Sequence, residues 1–241
     1  MHGHHHHTEH HRHSRQRPTK ADVITEYRRN ALLHAAVQVF GEHGFDCATM
    51  EQIAHRADVA KGTTYLYYRS KQSIYDAALS RGLAELDDRT REAIDRASSL
   101  HDAIPAFVTA RTQYFLEHRD FFRMYVASVA RQITSARPRT SEFQAMVDLQ
   151  TGRLEQAIAK AVARREIRHV DPTAAALAIF DLTRGLVARA LMTETGIDVQ
   201  REVAFVSALV WQGLHKRPRA VNKDKGKGIR DKGKGQSREV M

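Results

Sequence analysis

The sequence predicts an all-α protein of about nine helices, built as a small N-terminal unit and a larger C-terminal one between two low-complexity ends. Three observations predict it. Only five of 241 residues are Pro. No stretch alternates with period two for long, whereas apolar residues recur at i, i+3, i+4 and i+7. Helix-favouring Ala, Leu, Arg, Glu and Gln are frequent, and capping residues punctuate the chain at helix-length intervals.

The elements follow in order. From Ile24 to Glu42, the spacing of Leu32, Ala35, Ala36, Val39 and Phe40 marks one buried face, and Gly41 and Gly44 are read as its end. Thr49-Met-Glu-Gln52 has the form of a capping box and opens a short second helix ending near Ala57-Asp58. A third short helix covers Lys61 to Tyr67. Ser70 caps a long fourth helix through about Ala97. Asp102 is read as the cap of the fifth, and Asp120 opens a sixth that Pro138 breaks. Thr140 to about Glu166 is a long amphipathic helix. Asp171-Pro172, a cap followed by proline at the first helical position, opens an Ala-rich helix to about Thr193. The last helix runs from Val199 to about Leu214.

Composition then narrows the function. The longest apolar run, Ala174 to Phe180, is far short of the roughly 18–20 residues of a membrane span. No apolar stretch follows the N-terminal charges, so no secretory signal is expected and a cytoplasmic protein is. The single cysteine, Cys47, excludes an intrachain disulfide and a multi-thiolate metal site, and is read as a small packed residue. The net charge of +10 sits at the ends: residues 31–215 carry 22 charges of each sign, while residues 216–241 carry ten Lys/Arg against three Asp/Glu. High pI therefore says little about a folded surface. Eight of the fifteen histidines fall in the first thirteen residues. Residues 1–25 and 216–241 are expected to be disordered. No Ser/His/Asp pattern, HExxH or phosphate loop is present. His101, Asp102, Glu117, His118 and Asp120 fall near helix ends, where charged residues serve as caps. No enzyme activity, cofactor or metal site is expected.

Two very short helices joined by a tight turn suggest a helix-turn-helix at residues 49–68. Within it, Ala57-Asp-Val-Ala-Lys-Gly-Thr-Thr-Tyr-Leu-Tyr-Tyr-Arg-Ser-Lys71 is a long, specific pattern. The stretch from 28 to 74 resembles the DNA-binding domain of TetR-type transcriptional regulators, closely over about a quarter of the chain. The resemblance implies a DNA-binding domain over residues 26–86 and a ligand-binding and dimerisation domain over 87–215. Physical chemistry fits the positions. Thr49 stands at a helix N-terminus suited to phosphate. Lys61 offers charge, and Gly62 permits close backbone approach. Thr63, Tyr65 and Leu66 lie on a helix small enough for the major groove. Tyr67 and Lys71 resemble the family's phosphate clamps. Tyr68 and Val59 are expected in the core. Three positions depart from the pattern: Asp58 stands where Gly is usual, Ala60 lacks a capping hydroxyl, and Thr64 replaces Leu or Ile, loosening the small core.

Resemblance further implies double-stranded DNA as partner, a homodimer, a palindromic operator and a small-molecule effector of unknown identity, with repression as the expected output. Arg111, Tyr114, His118, Tyr125 and Phe143 are candidate pocket residues. The last two helices are expected to form the subunit interface as a four-helix bundle. The candidates are Ala178, Leu182, Gly185, Leu186 and Arg189 on the first, and Val203, Val206, Val210 and Gly213 on the second; Phe205 and Leu209 face partner or core. Two rivals stand beside this reading. One is a metal-responsive regulator using the His-rich arm; the other is a general DNA binder driven by the Lys-rich tail.

Overall fold

The computed structural model describes residues 19–134, 141–193 and 197–215. Among them the chain forms α1 (Lys20–Cys47), α2 (Met50–Arg56), α3 (Lys61–Tyr67), α4 (Lys71–Asp95), α5 (Leu100–Glu117), α6 (Arg119–Thr134), α7 (Ser141–Ala163), α8 (Pro172–Met192) and α9 (Val199–Leu214), with no strand. The His-rich run and the Lys/Gly-rich end, on which the two rival readings rest, lie outside the described residues.

Local chemistry sets the ends. Thr19 and Asp22 form a reciprocal capping box, so α1 starts at Lys20 rather than Ile24, inside the segment read as a disordered arm. Gly44, at φ 73°, breaks α1 as expected, but Gly41 does not. It is a contact point: a Cβ there would lie 2.6 Å from the Cβ of Asp120 at the start of α6. Ser70 and Asp171 cap α4 and α8 as read, with Pro172 in the first turn of α8. The cap of α5 is Ser99, three residues before Asp102; its hydroxyl accepts from the Asp102 N–H at 3.2 Å. The two Ser98 and Ser99 hydroxyls donate to the Asp102 carboxylate and, with His101, hold its pKa below the ordinary value. α7 ends at Ala163, short of Glu166. Arg165 takes the left-handed conformation there, at φ 58°, and the Glu166 N–H reaches back to the Ala161 carbonyl.

Three apolar clusters hold the helices together. Leu32, Ala36, Phe40, Ile53, Tyr68 and Ile74 fill the first, between α1, α2, α3 and α4, and Met124 of α6 completes it. An aromatic cluster of Tyr114, Phe115, Phe121, Phe122, Tyr125 and Phe180 joins α5, α6 and α8. Aliphatic residues such as Ile104, Leu154, Ile158 and Ile179 form the third, between α5, α7, α8 and α9. The N-terminal unit is thus welded to α6. Gly82 of α4 receives the Phe121 ring so closely that no Cβ fits. The Tyr75 hydroxyl donates to the Met124 carbonyl at 3.1 Å, and the Arg131 guanidinium stacks over Phe45 and Tyr75 at 4.7 and 4.6 Å.

Candidate nucleic-acid interface

α2 and α3 are seven residues each, too short to be stable alone, and tertiary anchors supply what their length does not. The Thr49–Gln52 capping box starts α2, with the Gln52 side chain accepting from the Thr49 N–H at 2.8 Å. Arg56 at its end makes a bidentate pair with Glu42 of α1 at 2.9 and 2.7 Å. The turn passes through Asp58 at φ 53°, a left-handed position Asp tolerates where Gly would be unstrained. Ala60 opens α3 with no side-chain cap. Tyr68 is buried in the first cluster and Val59 packs against it half-buried.

Thr64 roots α3 in that core. It is fully buried, and its hydroxyl finds no partner. The expected loosening therefore takes the form of an unsatisfied polar atom inside close packing. With Thr64 and Tyr68 inward, the rest of α3 turns outward. Leu66 is 85% exposed and Tyr65 43%, Lys61 is exposed, and Thr63 and Tyr67 are half-buried. A Cβ on Gly62 would meet nothing within 4 Å. No neighbour within the protein requires glycine there. Lys61 pairs with Glu51 at 3.1 Å across the motif, on an exposed surface where such a pair stabilises little.

Two candidate DNA contacts have partners within the protein, and one reading, that of Cys47, changes. The Lys71 ammonium, read as a phosphate clamp, donates to the carbonyls of Asp46 and Ala48 at 3.0 Å each and lies 4.7 Å over the Phe45 ring. It ties the loop after Gly44 to the start of α4. The Thr49 hydroxyl is engaged in its capping box. Cys47 is exposed rather than packed.

The candidate pocket residues divide between two places. Tyr114 and His118 line a cleft of about 270 Å³ between α1, α4, α5 and α6, with His34, Arg81 and Asp120. The Tyr114 hydroxyl donates to the Gly82 carbonyl at 3.0 Å, and burial raises its pKa, with Glu85 adding to the shift. Arg111 and Tyr125 lie instead in the core. Arg111 is fully buried, its guanidinium over the rings of Phe180, Phe115 and Phe107 at 4.3, 5.3 and 5.6 Å. Desolvation lowers its pKa to about 10. Gln150 of α7, which sequence reasoning missed, accepts from its Nη1 at 2.7 Å. The Phe143 side chain lies outside the described residues.

The interface candidates also divide. Leu186, Val203, Val206 and Val210 pack in the protomer's own third cluster. The outward face of α8 and α9 carries Leu182 and Ala178 on one helix and Phe205 and Leu209 on the other, with Gly185 and Gly213 open on the same surface. Arg189 pairs with Glu202, joining the two helices.

Residues 32–78 match the family model described as bacterial regulatory proteins, tetR family. Over that segment the chain carries a tetR-family domain. The transcriptional activator FasR of Mycolicibacterium smegmatis is 37% identical over 95 residues, 38% of this chain and 41% of that protein. The putative mycofactocin biosynthesis transcriptional regulator MftR of Mycobacterium tuberculosis is 30% identical over 133 residues, 54% of this chain and 61% of that one. The matches thus span about two-fifths to three-fifths of these relatives. The solved structure of the transcriptional regulator FadR from Bacillus subtilis in complex with stearoyl-CoA superposes with a TM-score of 0.67 at 19% identity, covering 77% of this chain and 99% of that one. At that identity the likeness is one of fold. The shared fold runs past the matched segment into the C-terminal helices.

Proposed function

We propose that this chain is a cytoplasmic DNA-binding transcriptional regulator that acts as a homodimer on a two-fold symmetric operator and responds to a small molecule. The observation that carries this reading is the division of α3. Thr64 and Tyr68 fix the helix to the core, and the same helix turns Lys61, Gly62, Tyr65 and Leu66 to solvent. A short helix held rigidly from behind, with a bare glycine and a cation at its N-terminus, suits insertion into a major groove. Thr63, Tyr65 and Leu66 are positioned to read base edges. Lys61 and Tyr67 contact phosphates on either flank, with Thr49 at the edge of the same surface. Lys71 acts behind this surface by holding the loop. Among the described residues no helix is long and apolar enough to cross a membrane.

Dimerisation falls to the outward face of α8 and α9. Leu182, Phe205 and Leu209 are 42%, 64% and 51% exposed, an apolar surface that a second copy would bury. Gly185 and Gly213 allow the helices to approach. On this reading Phe205→Glu yields a folded, helical monomer that loses operator binding, whereas a charge at Val206 unfolds the chain.

Selection of bound fragments from random DNA tests the function. The expected consensus is a palindrome with half-sites one helical turn apart, roughly 34–36 Å. Leu66 and Thr63 substitutions shift the preferred sequence, while Lys61→Ala lowers affinity for all sequences alike. A consensus without a dyad overturns the homodimer reading, and no enrichment at all overturns DNA recognition.

A further inference from the structure

Arg111 is the one side chain with two buried nitrogens, Nε and Nη2, that have no hydrogen-bond partner among the described residues. These two share one edge of the guanidinium and form its side-on fork, the arrangement that matches both oxygens of a carboxylate. The Tyr125 hydroxyl lies close enough to the guanidinium to offset part of its desolvation, yet it too is buried without a well-formed hydrogen bond. The nearby Asp181 does not supply the counter-charge, because it pairs with Arg184 at 3.0 Å. A buried cation left without an anion is costly, and the three aromatic rings around it offset only part of that cost. The Nε and Nη2 edge therefore has no carboxylate partner among the described residues.

The third nitrogen leads elsewhere. Nη1 donates to Oε1 of Gln150, and Nε2 of the same Gln150 donates to the Leu83 carbonyl on α4 at 3.1 Å. α4 begins at Lys71, soon after α3 ends at Tyr67, and its Ile74 shares a core cluster with Tyr68. One amide thus bridges the unpaired cation to the helix that follows α3.

We propose that Arg111 receives the carboxylate of a small monoanionic acid with an apolar body, and that Gln150 is the placeholder whose bridge to α4 the acid disrupts. The inference deepens the reading of the chain as a ligand-responsive regulator and rests on it for its regulatory consequence. One guanidinium balances a single negative charge, and the rings of Phe107, Phe115 and Phe180 that lie against it are apolar. A polyphosphorylated group would need further cations, and the nearby Arg184 is already paired with Asp181. A carboxylate is the stronger acceptor, so it competes with the neutral Oε1 of Gln150.

The test uses the full-length protein without DNA, so its failure is distinguishable from failure of the DNA-binding reading. Thermal melting is measured with benzoate, octanoate and palmitate, with the corresponding primary amides, and with octanoyl-CoA. At least one carboxylate is expected to raise the melting temperature by roughly 5–10 °C at a hundredfold excess over its Kd. Its amide is expected to give no shift. Arg111→Met, which removes the charge but keeps much of the volume, should abolish the response. Gln150→Glu, which gives the cation an internal carboxylate, should abolish it independently. No shift with any of the three acids overturns the proposal, as does an equal shift with the amide or a response that survives either substitution. A shift with octanoyl-CoA that Arg111→Met removes would assign Arg111 to a phosphate and overturn the carboxylate.

Discussion

Replacing Gly41 with alanine would place a methyl group where α1 and α6 touch. The new Cβ would stand 2.6 Å from the Asp120 Cβ and 2.7 Å from its Cα and carbonyl oxygen. Carbon atoms at rest prefer about 3.5–4.0 Å, so the first turn of α6 must retreat by about 1 Å. Because the obstacle is largely backbone, no rotamer change relieves it. Overpacking of this kind costs about 1–3 kcal/mol, and the gain in helix propensity from Gly to Ala returns up to about 1 kcal/mol. The net expectation is a loss of about 1–2 kcal/mol, or a melting temperature lower by about 2–8 °C for a chain of this length. Thermal unfolding followed by circular dichroism at fixed protein concentration measures it. Gly62→Ala is the matched control: it lies in a helix, its Cβ would meet nothing within 4 Å, and it should melt no lower than the parent. A Gly41→Ala protein as stable as the parent would refute the close approach.

Thr64→Val removes a buried hydroxyl without a partner at nearly constant volume and should stabilise by about 1 kcal/mol, read as a rise of about 2–4 °C in melting temperature. Lys71→Met severs two charge-assisted bonds to carbonyls and should destabilise by about 1.5–3 kcal/mol; unchanged melting with uniformly weaker DNA binding would instead restore the phosphate-clamp role. Asp102 has a lowered pKa, so its stabilisation is present above the ordinary carboxylate value and is lost as pH falls through the folded-state value. Asp102→Asn should therefore flatten the decline of melting temperature below about pH 4. Deleting residues 216–241, with ten Lys/Arg against three Asp/Glu, should reduce the salt dependence of non-specific DNA affinity. The log–log slope should fall by about 0.9 for every phosphate that the tail no longer neutralises, with the operator consensus unchanged.

What the sequence made legible was mostly local. Ser70 and Asp171 announce their helices because a cap acts on an N–H two or three residues away. The same logic misplaced the start of α5, since Ser99 and Asp102 are both competent caps and only the structure shows which is outside the helix. Thr19-x-x-Asp22 carried the true start of α1, yet charged and polar neighbours hid it. The remaining misreadings concern contacts distant in sequence. Glycine marks a helix end or a close approach equally well, so Gly41 could not be told from Gly44 without Asp120. A lysine near a DNA-binding motif announces charge but not the carbonyls 23 and 25 residues away that use it. On α9 two faces are apolar, one bearing Val203, Val206 and Val210 and the other Phe205 and Leu209; periodicity alone does not say which belongs to the protomer. Arg111 was singled out as a pocket residue, but Gln150 and the Phe180 ring that surround it come from other helices, α7 and α8.

The way α6 is built into the N-terminal unit bears on how that unit could be transplanted. Met124 fills that unit's core, Arg131 covers Tyr75, and Asp120 sits against Gly41. A chimera that joins the first four helices to foreign C-terminal helices would leave a methionine-sized hole and a bare glycine contact at the graft. The transferable head is therefore discontinuous in sequence: α1 to α4 together with α6, while α5 and α7 to α9 form the exchangeable remainder. A graft that carries the inward residues of α6 along with the head keeps the joint intact.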